Sequence, residues 1–432
     1  MLRIASASLV GTAIEFYDFF VYGTAAALVL GPLFFPTFSP LTGTLAAFGT
    51  FAVGFIARPL GSVLFGHIGD RYGRRPVLVA SLLTTGFATT AVGCLPAYST
   101  IGTAAPVLLL LLRFLQGLGL GGEWGGAVLL TAEHAPAGRR ALWGSFPQMG
   151  PPLGFLLANG TMLTLTALLS DAQFLAWGWR VPFWAAGVLT VGGLLLRTSL
   201  AETPQFRELA ETGGRAVAPA AEVLRHHWRL LLLTAGGLSV GYAVFYAVTT
   251  WALVYGTEQL GVSRTTMLIL VTAAVGVNGM LTPLAALLGD RFGRRPMCLA
   301  GSTLAAVWMF PFISLLNTGE PLLMFLGSLV ALIALVTMFS VVAAYLPELY
   351  EPRVRCTGAA VGYNLAGLLG GALTPIVATA LSDGVRPPWG VAAWLTGVAL
   401  LSTACFAALP ETCPMPVRAG ASGHTDEEPA PA

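Results

Sequence analysis

The stretch Gly69-Asp70-Arg71-Tyr72-Gly73-Arg74-Arg75-Pro76 returns 220 residues later as Gly289-Asp290-Arg291-Phe292-Gly293-Arg294-Arg295-Pro296, identical at seven of eight positions. Each copy is wedged between long apolar runs. Two further pairs keep the same order: Glu133 and Arg140 match Glu348 and Arg355 at an offset of 215, and Leu200-Ala201-Glu202-Thr203 matches Leu409-Pro410-Glu411-Thr412 at 209. The chain is duplicated, and repeats of half a chain, each hydrophobic, are the pattern of membrane transporters.

With 56% hydrophobic and 10% charged residues, there is too little polar surface to coat a soluble globule of this length. A spanning helix needs about 20 apolar residues. Twelve such runs centre near residues 22, 55, 87, 116, 156, 188, 243, 276, 306, 333, 370 and 399, six per half. Lipid offers no partner to a free backbone amide, and the short alternating strands of a membrane barrel are missing from the pattern, so each run is expected to be a helix. The expected fold is an all-α membrane protein of twelve transmembrane helices in two pseudo-symmetric six-helix bundles. Residues 1–200 form the first bundle, 201–229 a polar linker, 230–412 the second bundle and 413–432 a disordered tail.

All 22 basic residues are arginine, and 17 of them fall in loops on one side against Arg180, Arg264 and Arg386 on the other. The positive-inside rule then puts both termini and the linker in the cytoplasm of a multi-pass plasma-membrane protein. This asymmetry accounts for the net charge of +2 without nucleic acid as a partner. The first apolar run carries Glu15 and Asp18 and lacks a small-residue cleavage site, so it does not read as a cleavable signal peptide. The five cysteines have no CxxC spacing and the five histidines no HExxH spacing, and no metal site or cofactor is expected.

Chemistry is expected where ionisable groups sit at membrane depth, since each costs about 2.5–3.5 kcal/mol at a helix centre. Five such groups occur, all in the first half. Glu15 and Asp18 share one helical face with Tyr22. Arg58 precedes Pro59. Arg113, Gln116, Leu120 and Glu123 follow at i, i+3, i+7 and i+10, which places two charges about 15 Å apart on one face. A carboxylate facing an arginine can act as a switch: a substrate that competes for Arg58 or Arg113 frees the acid to take a proton, linking the two fluxes. The alternative is a set of fixed interhelical pairs that only hold the bundle together.

The second half has no charge at comparable depth and offers Tyr242, Tyr246, Trp251, Asn278 and Asn364 as hydrogen-bonding and aromatic partners, a spacing equally compatible with helix packing. Six glycines between Gly117 and Gly126 mark a close helix crossing; the GxGxxG match among them lies inside an apolar helix and reads poorly as a phosphate loop. In the repeated loop, the matched Asp, Gly and Arg suit a cytoplasmic gate that closes by ion pairing. Its expected members are Gly69, Asp70, Arg71, Gly73, Arg74, Asp290, Arg291, Gly293 and Arg294, with Glu133, Arg140, Glu348 and Arg355.

The loop in both halves resembles the signature of the major facilitator superfamily over almost the whole chain. The first half is similar to that superfamily's metabolite:proton symporter family through Gly11-Thr12-Ala13-Ile14-Glu15-Phe16-Tyr17-Asp18, Gly54-Phe55-Ile56-Ala57-Arg58-Pro59 and Gln116-Gly117 to Glu123-Trp124. The resemblance implies inward proton-coupled uptake of shikimate, 2-oxoglutarate, citrate or other carboxylates, or of osmolytes such as proline and betaine. It also places the acids of the first helix and the fourth-helix arginine in a central cavity. The tail lacks the charged coiled coil of the family's osmosensing branch, which puts osmolyte uptake second. A Gly-Pro-x-x-Gly element at Gly150-Pro151-Pro152-Leu153-Gly154 resembles that of drug antiporters and keeps efflux as a further alternative.

The sequence thus reads as a secondary transporter, not an enzyme: a symporter of protons and a small organic acid, shikimate-like or a di- or tricarboxylate, acting as a monomer by alternating access. Asp18, Glu15 and Glu123 are expected to handle the proton. Arg113, Arg58, Tyr22, Gln116, Tyr242, Tyr246, Trp251, Asn278 and Asn364 are expected to hold the substrate, and the proton gradient takes the place of a cofactor.

Overall fold

The computed structural model describes residues 2–72, 74–122, 124, 128, 131, 135–136, 138–198, 219–351, 354–384 and 386–413; at 2–4, 7, 27, 40, 66–72, 74–78, 196–198, 219 and 356 it describes the backbone only. The expected linker 201–229 and tail 413–432 therefore lie mostly outside the described residues.

Each of the twelve apolar runs falls in one helical segment, the run centred near residue 370 lying on the π-helical turn Gly367–Ala372 that continues the eleventh helix. In the first half these are α1 (Leu2–Ala25), α2 (Pro40–Tyr72), α3 (Arg74–Cys94), α4 (Ala104–Gly121), α5 (Gly150–Leu168) and α6 (Val181–Thr198). In the second they are α7 (Trp228–Tyr246), α8 (Arg264–Phe292), α9 (Arg294–Leu316), α10 (Pro321–Leu349), α11 (Arg355–Ala366) and α12 (Trp389–Ala408). Among the described residues no strand occurs. Eight of the described helices are long and apolar enough to cross a bilayer, or nine when α1 is joined across a 44° bend to Leu28–Phe34, and α3 adds the shorter apolar stretch Val79–Cys94. Prolines Pro59, Pro283 and Pro311 sit inside helices, as a bilayer protein tolerates when neighbouring helices re-satisfy the backbone.

The two halves carry the duplication into local geometry. The first helix of each leaves α-helical spacing for one π-helical turn, Ala26–Leu30 after α1 and Ala247–Trp251 after α7. Continuous apolar spans then run from Trp228 to Gln259 and from Thr357 to Ser382.

Glycine sets the close crossing of α2 and α4. A Cβ on Gly117 would fall 2.1 Å from the Gly54 carbonyl oxygen, and one on Gly121 2.0 Å from that of Arg58. On its other face, a Cβ on Gly119 would meet the Thr85 hydroxyl at 2.2 Å. Only backbone fits between these helices, so the glycine run brings main chain against main chain and leaves no room for a ligand. Across the boundary between halves, α2 packs on α11 and α5 on α8.

Candidate transport site

Asp18 is fully buried on α1, and neither carboxylate oxygen meets a hydrogen-bond partner. Glu15, one turn earlier, is 4% exposed and lies within electrostatic reach of it. Gln116 on α4 donates from Nε2 to the Asp18 main-chain oxygen at 3.1 Å and to the Thr89 hydroxyl of α3 at 2.6 Å. Its Oε1 accepts from Arg113 Nη1. One amide thus joins α1, α3 and α4 and connects Arg113 to the backbone of Asp18.

The two arginines rest on aromatic faces. Arg113 lies over Tyr22 at 3.7 Å to the ring centroid, with Phe19 at 5.2 Å and Phe51 at 5.3 Å. Arg58 lies over Phe19 at 4.1 Å and Phe55 at 4.6 Å. Such contacts are worth about 2 kcal/mol or more when desolvated, which helps hold a guanidinium away from water. The hydroxyls of Tyr22 and Thr50 bond each other and keep the Tyr22 ring in place. Gly54 leaves the space for Arg113, because a Cβ there would sit 2.8 Å from Nη2. Arg113 Nε and Nη2, and Arg58 Nε, are buried without a hydrogen-bond partner. Asp18 and Arg113 do not form an ion pair; they are linked only through Gln116.

Tyr246 from the second half closes over this cluster. Its ring meets Phe51 at 5.4 Å and Phe55 at 5.5 Å edge-on, with Phe19 at 6.2 Å. Behind it, between the halves, lies a cavity of about 60 Å³. The first half lines it with Phe16, Phe20, Gln148, Pro151 and Pro152, and the second with Tyr242, Phe245, Tyr246, Asn278 and Thr282. Phe339, Ser340 and Tyr363 add to the wall, with Gly241, Leu335 and Val336. Among the described residues no charged side chain lines this cavity.

Of the residues expected at the substrate, Tyr242, Tyr246 and Asn278 face the cavity. Arg113, Arg58, Tyr22 and Gln116 stand behind the aromatic cover formed by Phe19, Phe51, Phe55 and Tyr246. Trp251 is buried elsewhere, its Nε1 donating to the Ser382 hydroxyl at 3.1 Å. Asn364 bridges the halves, Nδ2 donating to the Ser62 hydroxyl at 2.9 Å. Glu123 lies outside the described residues. The sequence reading did not single out Gln148, Thr282, Ser340 or Tyr363: each is an isolated polar group in an apolar helix, with no spacing to mark it.

Between the cavity and the arginine-rich end the halves are joined. Trp124 stacks on Tyr363 at 3.8 Å, and Gln148 Nε2 donates to the Phe339 carbonyl at 3.1 Å. Further out, Asp290 at the end of α8 accepts the main-chain N–H groups of Ala141 and Leu142 at 2.9 and 3.0 Å, capping the helix Arg140–Gln148 of the other half. Arg294 holds Asp290 at 3.3 Å and Glu348 at 3.5 Å. Arg140 reaches Glu348 at 3.8 Å, also across the boundary.

Glu411 caps α9 by accepting the N–H groups of Arg294 and Arg295 at 3.0 and 2.9 Å. Gly293 makes room for it, with φ 105° and a would-be Cβ 2.8 Å from Glu411 Oε2. Burial pushes the Cys413 thiol above its ordinary range, with Arg294 Nη1 donating to its sulfur at 2.9 Å and opposing the shift. Arg291 is exposed, and Arg355 Nε donates to the Tyr350 carbonyl at 3.3 Å. Gly73, Glu133 and the side chains of Asp70, Arg71 and Arg74 lie outside the described residues, as does any local geometry at Gly69 beyond its place in α2.

The sugar (and other) transporter family profile matches residues 4–229, and that of the major facilitator superfamily matches 252–429. The chain belongs to the major facilitator superfamily. It is 46% identical to an inner membrane metabolite transport protein of Escherichia coli over 87% of both chains. To the shikimate transporter of the same organism it is 38% identical, over 93% of this chain and 92% of that one. To an E. coli proline/betaine transporter it is 34% identical, over 98% and 86%. Among solved structures, a crystal structure of a D-xylose-proton symporter superposes with a TM-score of 0.74 at 21% identity, covering 95% of this chain and 98% of the other. This major facilitator protein is therefore a multi-pass secondary transporter of metabolites.

Proposed function

We propose that the transporter imports a small organic acid together with protons by alternating access. The observation that carries this reading is Arg113. It is a fully buried guanidinium whose Nε and Nη2 have no partner in the protein, at the junction of the two halves. Two free N–H groups on a planar cation match a carboxylate, and leaving buried donors unmade is costly. Arg58 is the second contact, and Tyr22 and Gln116 hold Arg113 in place. Tyr242, Tyr246 and Asn278 serve the substrate from the second half, and the substrate reaches the guanidiniums only when the aromatic cover parts. Binding is thereby linked to the relative movement of the halves.

Asp18, with Glu15 and Glu123, exchanges the proton. An ionised carboxylate without a donor costs several kcal/mol in a dry site and the neutral acid far less, so a change in its surroundings moves a proton. The proton gradient supplies the energy, and no cofactor takes part. The arginine-rich end faces the cytoplasm. The loop residues Gly69, Asp70, Arg71, Gly73, Arg74, Asp290, Arg291, Gly293 and Arg294, with Glu133, Arg140, Glu348 and Arg355, form the gate on that side. The cavity, with room for about four to six waters, suits a small metabolite and is small against the 300–1,000 Å³ of sites for drug-sized molecules.

The test is uptake of radiolabelled shikimate, 2-oxoglutarate, citrate and glycine betaine into proteoliposomes, with and without an inward proton gradient. Accumulation of an acid that collapses with a protonophore supports the reading. Failure of every acid, with proton-driven export of cationic dyes, overturns it.

A further inference from the structure

We infer that the substrate carries one carboxylate only, on a body whose hydroxyl groups donate hydrogen bonds into the cavity. The inference rests on the organic-acid reading and concerns what surrounds the rest of the molecule.

Arg58 and Arg113 are both gathered behind Tyr246, on the first-half side of the cavity; both act electrostatically on Tyr246, and Arg58 also on Tyr242 and Tyr363. A carboxylate at these guanidiniums leaves the body of its molecule in the cavity. There, among the described residues, it meets aromatic rings, aliphatic carbons and neutral polar groups, and no cation. A second carboxylate would be buried without a counter-charge, the arrangement that proteins avoid most strongly.

The polar groups sharpen the choice. The single hydroxyl hydrogen of Thr282 is already given to the Asn278 carbonyl at 3.0 Å, and that of Ser340 to Thr337 at 3.5 Å. Towards the cavity these two oxygens therefore present lone pairs. Asn278 and Gln148 likewise each commit an amide hydrogen to main-chain carbonyls, of Leu332 at 2.8 Å and Phe339 at 3.1 Å. Thr282 and Ser340 therefore reward a ligand that donates, while the Tyr242 hydroxyl, buried without a hydrogen-bond partner, can give a bond in return. A ligand hydroxyl answers both; a carboxylate accepts only, and a quaternary ammonium has no N–H or O–H to offer.

The experiment is competition against radiolabelled shikimate, a monocarboxylate with three ring hydroxyls, in proteoliposomes of the full-length protein. Competitors are cyclohexanecarboxylate, 2-oxoglutarate, citrate and glycine betaine. We expect 2-oxoglutarate and citrate to compete roughly 100-fold more weakly than unlabelled shikimate, and cyclohexanecarboxylate roughly 10-fold more weakly. In Thr282→Val the advantage of shikimate over cyclohexanecarboxylate should shrink several-fold. Ser340→Ala makes the same comparison where Thr282→Val does not fold. Citrate or 2-oxoglutarate competing within about threefold of shikimate, with uptake still abolished by Arg113→Ala, overturns the inference and leaves the organic-acid reading standing. Uptake of glycine betaine that survives Arg113→Ala, with no acid competing, overturns both.

Discussion

The Asp290 carboxylate of the second half accepts the main-chain N–H of Ala141 in the first at 2.9 Å, so a helix in one bundle is capped by a side chain from the other. The cap cannot persist if the halves separate at this end. Loss of an N-cap costs about 0.5–2 kcal/mol, a factor of roughly 2 to 30 in population. Asp290→Ala should therefore raise the labelling rate of a Ser340→Cys probe by a maleimide applied from the arginine-rich side by about that factor. An unchanged rate would show that closure is held elsewhere.

Arg113→Ala is expected to abolish acid uptake while the protein remains in the membrane at normal abundance. Arg113→Lys should rescue poorly, because an ammonium neither stacks flat on Tyr22 nor offers paired N–H groups. Uptake measured beside immunoblotted membrane fractions decides it, and a fully active lysine variant would remove the planar clamp from the mechanism.

In Asp18→Asn the carboxyl becomes an amide of the same shape that cannot exchange a proton. Accumulation against a gradient should be lost, while exchange of labelled for unlabelled substrate across the membrane continues. If the variant still concentrates substrate under an imposed pH gradient, the proton travels by another group.

The glycine crossing gives a stability prediction with its own control. In Gly121→Ala the new methyl falls 2.0 Å from the Arg58 carbonyl oxygen, whereas Gly160 has nothing within 4 Å. Overpacking of this kind costs about 1–3 kcal/mol, so the melting temperature in detergent should fall by roughly 1–3 °C for Gly121→Ala and stay put for Gly160→Ala. Equal melting curves would mean that α2 and α4 are not in contact there.

The helices were legible because lipid dictates both their length and their apolar character, and the glycine run because only small residues let two backbones meet. The i, i+3 spacing of Arg113 and Gln116 was legible as a shared face, and the two side chains do bond. What stayed hidden depends on which half faces which. The repeat pairs Glu133 with Arg140 and Glu348 with Arg355 by position. In the folded chain Arg140 reaches Glu348, a partner from the other half that no local spacing announces. Likewise the arginines of α2 and α4 looked like lining, while the structure lays Phe19 and Phe51 against them and adds Gln148, Thr282 and Ser340 to Tyr242, Tyr246 and Asn278 around the cavity.

The uncharged cavity wall also bears on how the membrane voltage enters the cycle. A potential does work only on charge that crosses the field, about 2.3 kcal/mol per elementary charge for each 100 mV. With no fixed charge among the described residues that line the compartment, the moving charge is that of the cargo and of the protons bound with it. A monoanion carried with one proton moves none, so such a carrier runs on the pH difference alone and keeps its rate when the membrane is depolarised.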